Sequence, residues 1–131
     1  MDFNENKPIY LQLADQIMDE VERSGLHGGR RLPSVRDYAS KTGVNANTVM
    51  RTYTWLQQEG IIYNQRGIGY FYAEDARERV LAMRRKIFFE KEIKYLMDRL
   101  IALRISPEEF NGIFNDYIAK SETSKESKAL K

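Results

Sequence analysis

The residues best suited to chemistry in this chain lie one helical turn apart, at Asn47 and Arg51. Residues four positions apart share one face of an α-helix. On such a face an asparagine amide can bond adenine through two atoms, and an arginine guanidinium can bond guanine likewise, each pair giving about 1–3 kcal/mol of discrimination. The spacing therefore favours recognition of base edges in a DNA groove, although each side chain is also typical of an ordinary solvent-facing position.

Four further residues offer groups suited to phosphate and to the groove edge. Ser34 and Thr48 carry hydroxyls near predicted helix starts, where they and the neighbouring backbone amides can contact phosphate. Arg36, near the start of the preceding helix, can reach the DNA backbone or the groove edge. Arg66 lies in a turn whose glycines permit close approach to DNA, including its minor groove.

The helix that must carry the reading pair is predicted to begin after Asn45, a natural N-cap, and to run to about Glu59. At about 100° per residue, three residues cluster on its packing face: Val49, Tyr53 and Leu56. Thr54 joins the reading pair on the opposite face. Met50 also falls on that side, but we expect Met50 and Trp55 to pack rather than to read bases.

A short helix and a hairpin are predicted on either side of this helix. Ser34 caps the short helix, which Thr42-Gly43 closes. Its inner face is formed by Val35, Tyr38 and Ala39. Residues 61–65 and 70–73 are rich in β-branched and aromatic residues, and a turn with two glycines joins them. Helix, turn, helix and hairpin in this order indicate a winged helix-turn-helix.

The N-terminal segment predicts one amphipathic helix of about 15 residues. Pro8 is tolerated in the first helical turn. Its apolar residues then recur every fourth position: Ile9, Leu13, Ile17 and Val21. Ser24-Gly25 is predicted to end it, and a glycine-rich connector follows that carries the single histidine, His27, on the surface.

Two helices are predicted beyond the hairpin. Asp75 can cap a long helix from about Ala76 to Leu103, and the run Ser106-Pro107-Glu108-Glu109 is a capping box that starts another. Both helices have apolar faces that a monomer would leave poorly covered, including Phe88, Phe89, Phe110 and Phe114. We therefore expect residues 76–120 to pair with a second copy. Residues 121–131 contain little to bury and are predicted to be disordered.

The expected fold class is thus mainly α with a small β-hairpin. Residues 1–74 are predicted to form an N-terminal winged helix-turn-helix, followed by a two-helix C-terminal dimerisation segment over residues 75–120. The basic residues are concentrated in the segment that carries the predicted helix-turn-helix. The 131 residues carry a net +2, but residues 1–29 hold two basic against six acidic residues, and residues 30–70 hold six basic against two acidic. Such a local surplus attracts phosphates.

Other functional classes find little support. The chain has no cysteine and a single histidine, so we expect no metal site, no catalytic residues and no cofactor. The N-terminal residues do not follow the pattern of a secretory signal, and no apolar run approaches the length of a membrane span. A cytoplasmic protein without enzymatic activity is expected.

Five spaced runs closely resemble the DNA-binding domain of GntR-family bacterial transcriptional regulators over about residues 8–73. They are Pro8-Ile9-Tyr10 with Gln12-Leu13, Leu32-Pro33-Ser34 with Arg36, Gly43-Val44-Asn45 with Asn47-Thr48-Val49, Glu59-Gly60-Ile61-Ile62, and Arg66-Gly67 with Gly69 and Phe71. The short C-terminal segment is similar to the YtrA subfamily, whose members dimerise through two helices. The resemblance implies a homodimeric repressor that binds an inverted-repeat operator in double-stranded DNA and controls a transporter operon. It identifies no small-molecule effector.

The family's DNA-contacting positions fall on seven residues here: Arg36, Asn45, Asn47, Thr48, Arg51, Arg66 and Gly67. Many members have Ser/Thr-Arg where this chain has Asn45-Ala46, and some have arginine where it has Met50. The base sequence of the operator is therefore difficult to infer from the operators of relatives. The alternative is a winged-helix protein-interaction module that binds no DNA. Such a module would carry apolar anchors on the outer face of the third helix.

Overall fold

Helices dominate the computed structural model, which describes residues 6–24 and 28–129, with side chains described as far as Lys125. The predictions for Gly25 and His27 lie outside these residues. In this part of the chain the elements are six α-helices, one π-helical segment and two strands. Their bounds are α1 Ile9–Ser24, α2 Val35–Thr42, α3 Ala46–Gln58, β1 Ile62–Gln65, β2 Gly69–Tyr72, α4 Ala76–Ile87, the π-helical segment Phe88–Glu92, α5 Ile93–Ala102 and α6 Pro107–Ala129.

The predicted helix-turn-helix is present, with the predicted caps. The Ser34 hydroxyl accepts a hydrogen bond from the Asp37 N–H at 3.0 Å, which fixes the start of α2. Gly43 ends α2 in the left-handed conformation, at φ 74°, where a side chain is strained. Asn45 Oδ1 then accepts from the Asn47 N–H at 2.7 Å and starts α3.

The core of the first unit lies between α1, α3 and the hairpin. Helix α1 buries three residues of its predicted stripe, Leu13, Ile17 and Val21, together with Ala14 and Met18, whereas Ile9 at its start is 59 % exposed. Helix α3 buries Val49, Tyr53 and Leu56 from its predicted inner face. Thr52 is buried as well, and its hydroxyl donates to the Tyr10 carbonyl of α1 at 2.8 Å. Packing and this hydrogen bond therefore fix the position of α3 relative to α1.

The hairpin gains a third extended segment that the sequence did not reveal. Strands β1 and β2 pair antiparallel, with Ile62 opposite Tyr72 and Gln65 opposite Gly69. On the other edge of β2, Arg31 forms an isolated bridge with Phe71, and Leu32 N–H donates to the Tyr70 carbonyl at 2.9 Å. The connector between α1 and α2 was predicted as a loop because its glycines and arginines lack strand propensity.

Helix α4 belongs to the same compact unit as the winged helix. Ala76 and Val80 are buried in its core, and the Arg84 guanidinium contacts Asp19 at 2.9 Å and Glu22 at 2.6 Å on α1. Burial opposes the charge of Arg84, but its hydrogen bonds to these carboxylates raise the pKa of the guanidinium. The first unit therefore runs to Ile87 and the second from Phe88, whereas the sequence placed the division before residue 75.

The described part of the second unit is helical except for a turn at residues 103–106 between α5 and α6. The π-helical segment interrupts what the sequence predicted as one long helix to Leu103, and the Ser106 hydroxyl accepts from the Glu109 N–H at 3.1 Å as the predicted cap of α6. Helix α6 continues to Ala129, where disorder was predicted from residue 121. Those residues include good helix formers and no glycine or proline, so a lack of apolar residues did not stop the helix. None of the described helices has the length and apolar character needed to cross a bilayer.

Candidate nucleic-acid interface

One face of α3 is open to solvent and chemically distinct from the packed face. Val49, Tyr53 and Leu56 are each 0 % exposed on the packed side. The residues exposed on the outer side are Ala46, Asn47, Met50, Arg51 and Thr54. Asn47 and Arg51 thus share the exposed face, as their spacing predicted. Because its packed side is fully buried and its outer side carries three polar residues beside Ala46 and Met50, α3 can present side chains outward.

Arg51 is held against α1. Its guanidinium carbon lies 4.1 Å from the centroid of the Tyr10 ring, a cation–π geometry. A cation–π contact draws on the positive charge of the guanidinium and does not use its N–H groups as hydrogen-bond donors to another residue, so they can still donate. Tyr10 therefore restricts the Arg51 side chain without consuming its hydrogen bonds. The sequence gave no indication of this pairing, because Tyr10 and Arg51 lie on different helices.

Met50 is exposed, contrary to the prediction that it packs. Its side chain is 45 % exposed, and the Tyr70 hydroxyl of β2 lies 3.8 Å from its sulfur, within hydrogen-bonding distance for sulfur. Trp55, by contrast, is half-buried and packs against the core as predicted. The helix direction places Met50 outward, and its apolar character misled the sequence-based assignment.

The caps of α2 and α3 occupy three of the backbone amides near the helix starts, where phosphate contacts were predicted. Asp37 N–H donates to Ser34, and the N–H groups of Asn47 and Thr48 both donate to Asn45. Those amides are therefore engaged within the protein. Side-chain groups beside these amides also offer donors to a phosphate: the Ser34 hydroxyl, the Asn45 amide nitrogen and the hydroxyl of the half-buried Thr48.

The two arginines predicted to reach the DNA backbone or a groove are open to solvent. Arg36 and Arg66 are exposed, and neither makes a hydrogen bond or ion pair with any residue in the described ranges. Next to Arg66, Gly67 has φ 80°, and a Cβ atom there would meet nothing within 4 Å. The turn is thus open on its outer side, as close approach to a ligand requires.

Arg31 supports this turn from behind. Its Nη2 donates to the Ile68 carbonyl at 2.6 Å, and a Cβ atom on Gly69 would come within 3.0 Å of the guanidinium. Gly69 therefore makes room for Arg31, which in turn fixes the backbone beside Arg66. Sequence reasoning missed Arg31, and the only available signal was its place in the basic run with Arg30.

A cluster of tyrosines ties α3 to the hairpin. The Tyr53 hydroxyl donates to the Pro33 carbonyl at 2.7 Å, and its ring meets Tyr70 edge-on at 4.9 Å between centroids. Burial raises the pKa of Tyr53, with smaller contributions from Tyr38, Tyr72 and Tyr70. Burial, and to a lesser extent the negative charge of Glu20, raises the pKa of Tyr72 to about 12. These phenols therefore stay neutral at physiological pH. Their packing couples α2, α3 and the hairpin.

Comparison with known proteins assigns the family. The model of bacterial regulatory proteins of the gntR family matches residues 9–71. A solved structure of a GntR-family transcriptional regulator from Bacteroides thetaiotaomicron is similar at a TM-score of 0.76 and 38 % identity, covering 87 % of this chain and 99 % of that one. The chain belongs to the GntR family. Its winged helix-turn-helix and C-terminal helices are the architecture of these regulators.

Two curated relatives each match a little over half of the chain. The HTH-type transcriptional regulator YhcF of Bacillus subtilis is 50 % identical over 74 residues, which are 56 % of this chain and 61 % of YhcF. The HTH-type transcriptional repressor YtrA of Bacillus subtilis is 36 % identical over 77 residues, 59 % of each chain. This chain therefore spans about three fifths of the curated relatives it matches. Both relatives are named as regulators rather than enzymes.

Proposed function

We propose that this GntR-family protein is a sequence-specific DNA-binding transcriptional repressor that reads an inverted-repeat operator as a homodimer. The observation that carries the proposal is the outer face of α3, where Asn47 and Arg51 are exposed above a fully sealed packing face. The major groove of B-DNA, about 12 Å wide, admits one such helix. A protein-interaction module would instead offer a mainly apolar face.

In this proposal α3 lies in the major groove and two side chains read bases. Asn47 donates to and accepts from adenine, while Arg51 donates to guanine. The Tyr10 ring lies 4.1 Å from the guanidinium carbon and restricts the Arg51 side chain before DNA binds. Arg51 therefore loses less conformational entropy on binding. Asn45, whose Oδ1 is committed to the cap, adds only its amide nitrogen.

Phosphate contacts set the register of α3 in the groove. The Ser34 and Thr48 hydroxyls and the Arg36 guanidinium lie on α2 and α3 close to their starts, where the positive ends of the helix dipoles also favour an anion. Arg66 and Gly67 extend the contact to the neighbouring groove through the open hairpin turn. Arg31, hydrogen-bonded to Ile68, keeps that turn in place.

The second unit supports the homodimer. None of its described side chains is buried, and its apolar residues include Ile101 at 76 %, Ile113 at 56 % and Phe114 at 54 % exposure. Exposed apolar surface on this scale is typical of a protein-protein interface. We propose that residues 76–120 pair with a second copy, most of the interface coming from Phe88 onward. Two copies would present two α3 helices to half-sites about one DNA turn apart.

Repression requires only that the dimer occupy its operator and exclude the transcription machinery. The relative YtrA is named a repressor, which supports this assignment for a protein with a similar N-terminal unit. Control of a neighbouring transporter operon follows only from the family resemblance, and it stays a prediction. Transcript levels of the adjacent genes in a deletion strain would test it.

Selection from a random duplex library tests the proposed function. The full chain should enrich a single inverted repeat, and Asn47→Ala should lower affinity for it by about 5- to 150-fold, the equivalent of about 1–3 kcal/mol. Ser124→Ala, on exposed α6 beyond residues 76–120, is the control and should bind as the wild type does. If repeated selection enriches no sequence, the proposed function fails.

A further inference from the structure

The outer face of α3 carries one apolar side chain that its fold does not require. Met50 is 45 % exposed in the middle of this face. Ala46, one turn earlier, is exposed on the same side. Because they lie four residues apart, they form a short apolar strip on the face that carries Asn47 and Arg51. Neither residue serves the hydrophobic core, so the strip has no evident structural purpose.

Met50 is also held in place. The Tyr70 hydroxyl meets its sulfur at 3.8 Å, and Tyr70 is itself fixed edge-on against the buried Tyr53 at 4.9 Å. With the weak acceptor sulfur engaged, the side chain offers methylene and methyl groups to whatever approaches the face. A flexible methionine is thereby restricted at the position where it would meet a ligand.

The major groove contains one apolar group, the C5-methyl of thymine. Arginine, asparagine and threonine all seek donors or acceptors, whereas the strip of Ala46 and Met50 can offer only contact. We propose that Met50, supported by Ala46 and held by Tyr70, determines specificity by contacting a thymine C5-methyl in each operator half-site. This inference rests on the proposed function. It adds thymine to the adenine and guanine contacts proposed for Asn47 and Arg51.

Replacing thymine by uracil tests the contact without altering the protein. Uracil removes only the C5-methyl and leaves base pairing intact. In the selected operator, uracil at one symmetric position should weaken wild-type binding about fourfold, the fold-change equivalent to about 0.8 kcal/mol for a group of this size. Uracil elsewhere should have a smaller effect. If no thymine in the operator is sensitive to this replacement, the inference is wrong even though the proposed function stands.

Variants of the strip complete the test. Met50→Ala should bind the thymine and uracil duplexes equally at the sensitive position, while Ser124→Ala on α6, beyond residues 76–120, should keep the full fourfold penalty. Tyr70→Phe, which loses the hydroxyl but keeps the ring, should reduce the penalty without abolishing it. A Met50→Ala variant that retains the full penalty would overturn the assignment to Met50. Failure to enrich any operator would instead remove the proposed function and this inference with it.

Discussion

At the scale of single residues, the outer face of α3 is flanked by two tyrosines from different elements. Tyr10 of α1 stacks under Arg51, and Tyr70 of β2 holds Met50. Arg51 and Met50 therefore each depend on a partner outside α3. Substitutions in the partners should change recognition even where the partners touch no base.

Tyr10 gives the sharpest prediction at this scale. Tyr10→Ala should weaken specific binding by about 2- to 5-fold, because an exposed cation–π contact contributes about 0.5–1 kcal/mol. The loss should fall on the guanine that Arg51 reads. Tyr10→Phe keeps the ring and should bind as the wild type does. Competition between operators that differ at that guanine measures the effect.

A general weakening of all duplexes by Tyr10→Ala would contradict this role. It would show that Tyr10 stabilises the unit rather than orienting Arg51. The Thr52 hydroxyl bonds the Tyr10 carbonyl and not its ring, so the link between α1 and α3 survives in both variants.

At the scale of elements, Asn45 combines a structural and a recognition role that can be separated. Asn45→Ala should lower the free energy of unfolding by about 0.5–2 kcal/mol, because Oδ1 caps α3. Asn45→Asp keeps the cap and loses the amide donor, so urea denaturation should find it nearly as stable as wild type. Its affinity for the operator should nevertheless fall, since a carboxylate now faces phosphate.

If Asn45→Asp binds the operator with wild-type affinity, Asn45 acts only as a helix cap and not as a DNA contact. Loss of stability in the same variant would instead indicate that the cap needs the neutral amide. The two measurements on one protein thus distinguish the structural role from the proposed contact.

Local signals predicted the helices and turns of the first unit. Caps at Ser34 and Asn45, the glycine at residue 43 and the apolar stripe of α1 each act within a few residues, so their effects can be read from the sequence. The bridge of Arg31 with Phe71 and the docking of Arg84 on α1 join residues far apart in the chain. No local propensity encodes such contacts, and they were missed.

The residues of the candidate site fall into the same two groups: those predicted from local sequence and those found only through long-range contacts. The exposure of Asn47 and Arg51 followed from helical spacing alone. Arg31, Tyr10 and Tyr70 entered only through tertiary contacts. Met50 was misassigned because an apolar residue on a helix is more often buried than exposed.

At the scale of the whole molecule, the exposed apolar residues of the second unit should control assembly. Phe114→Asp should convert a dimer to a monomer in sedimentation experiments, because a charge would enter the apolar interface. Asn115→Asp introduces the same charge on the other side of α6 and should remain dimeric. If Phe114→Asp sediments as the wild type does, α6 lies outside the interface.

The buried tyrosines predict how stability depends on alkaline pH. Burial first, and then Glu20, raise the pKa of Tyr72 to about 12, above its unfolded value of about 10. The neutral phenol therefore stabilises the fold fully below about pH 10, and this contribution is lost as pH rises through about 12. Tyr72→Phe cannot ionise, so its urea midpoint should fall less steeply than that of wild type over this range. Identical pH profiles would contradict the assignment.

The central claim is that the face of α3 reads a particular DNA sequence, and a ratio of affinities tests it most directly. The full chain is titrated, at physiological salt, with its selected operator and with a shuffled duplex of the same composition. The operator should bind about 10³-fold tighter or more, the range of specific over non-specific binding. Equal affinities for the two duplexes would contradict the account.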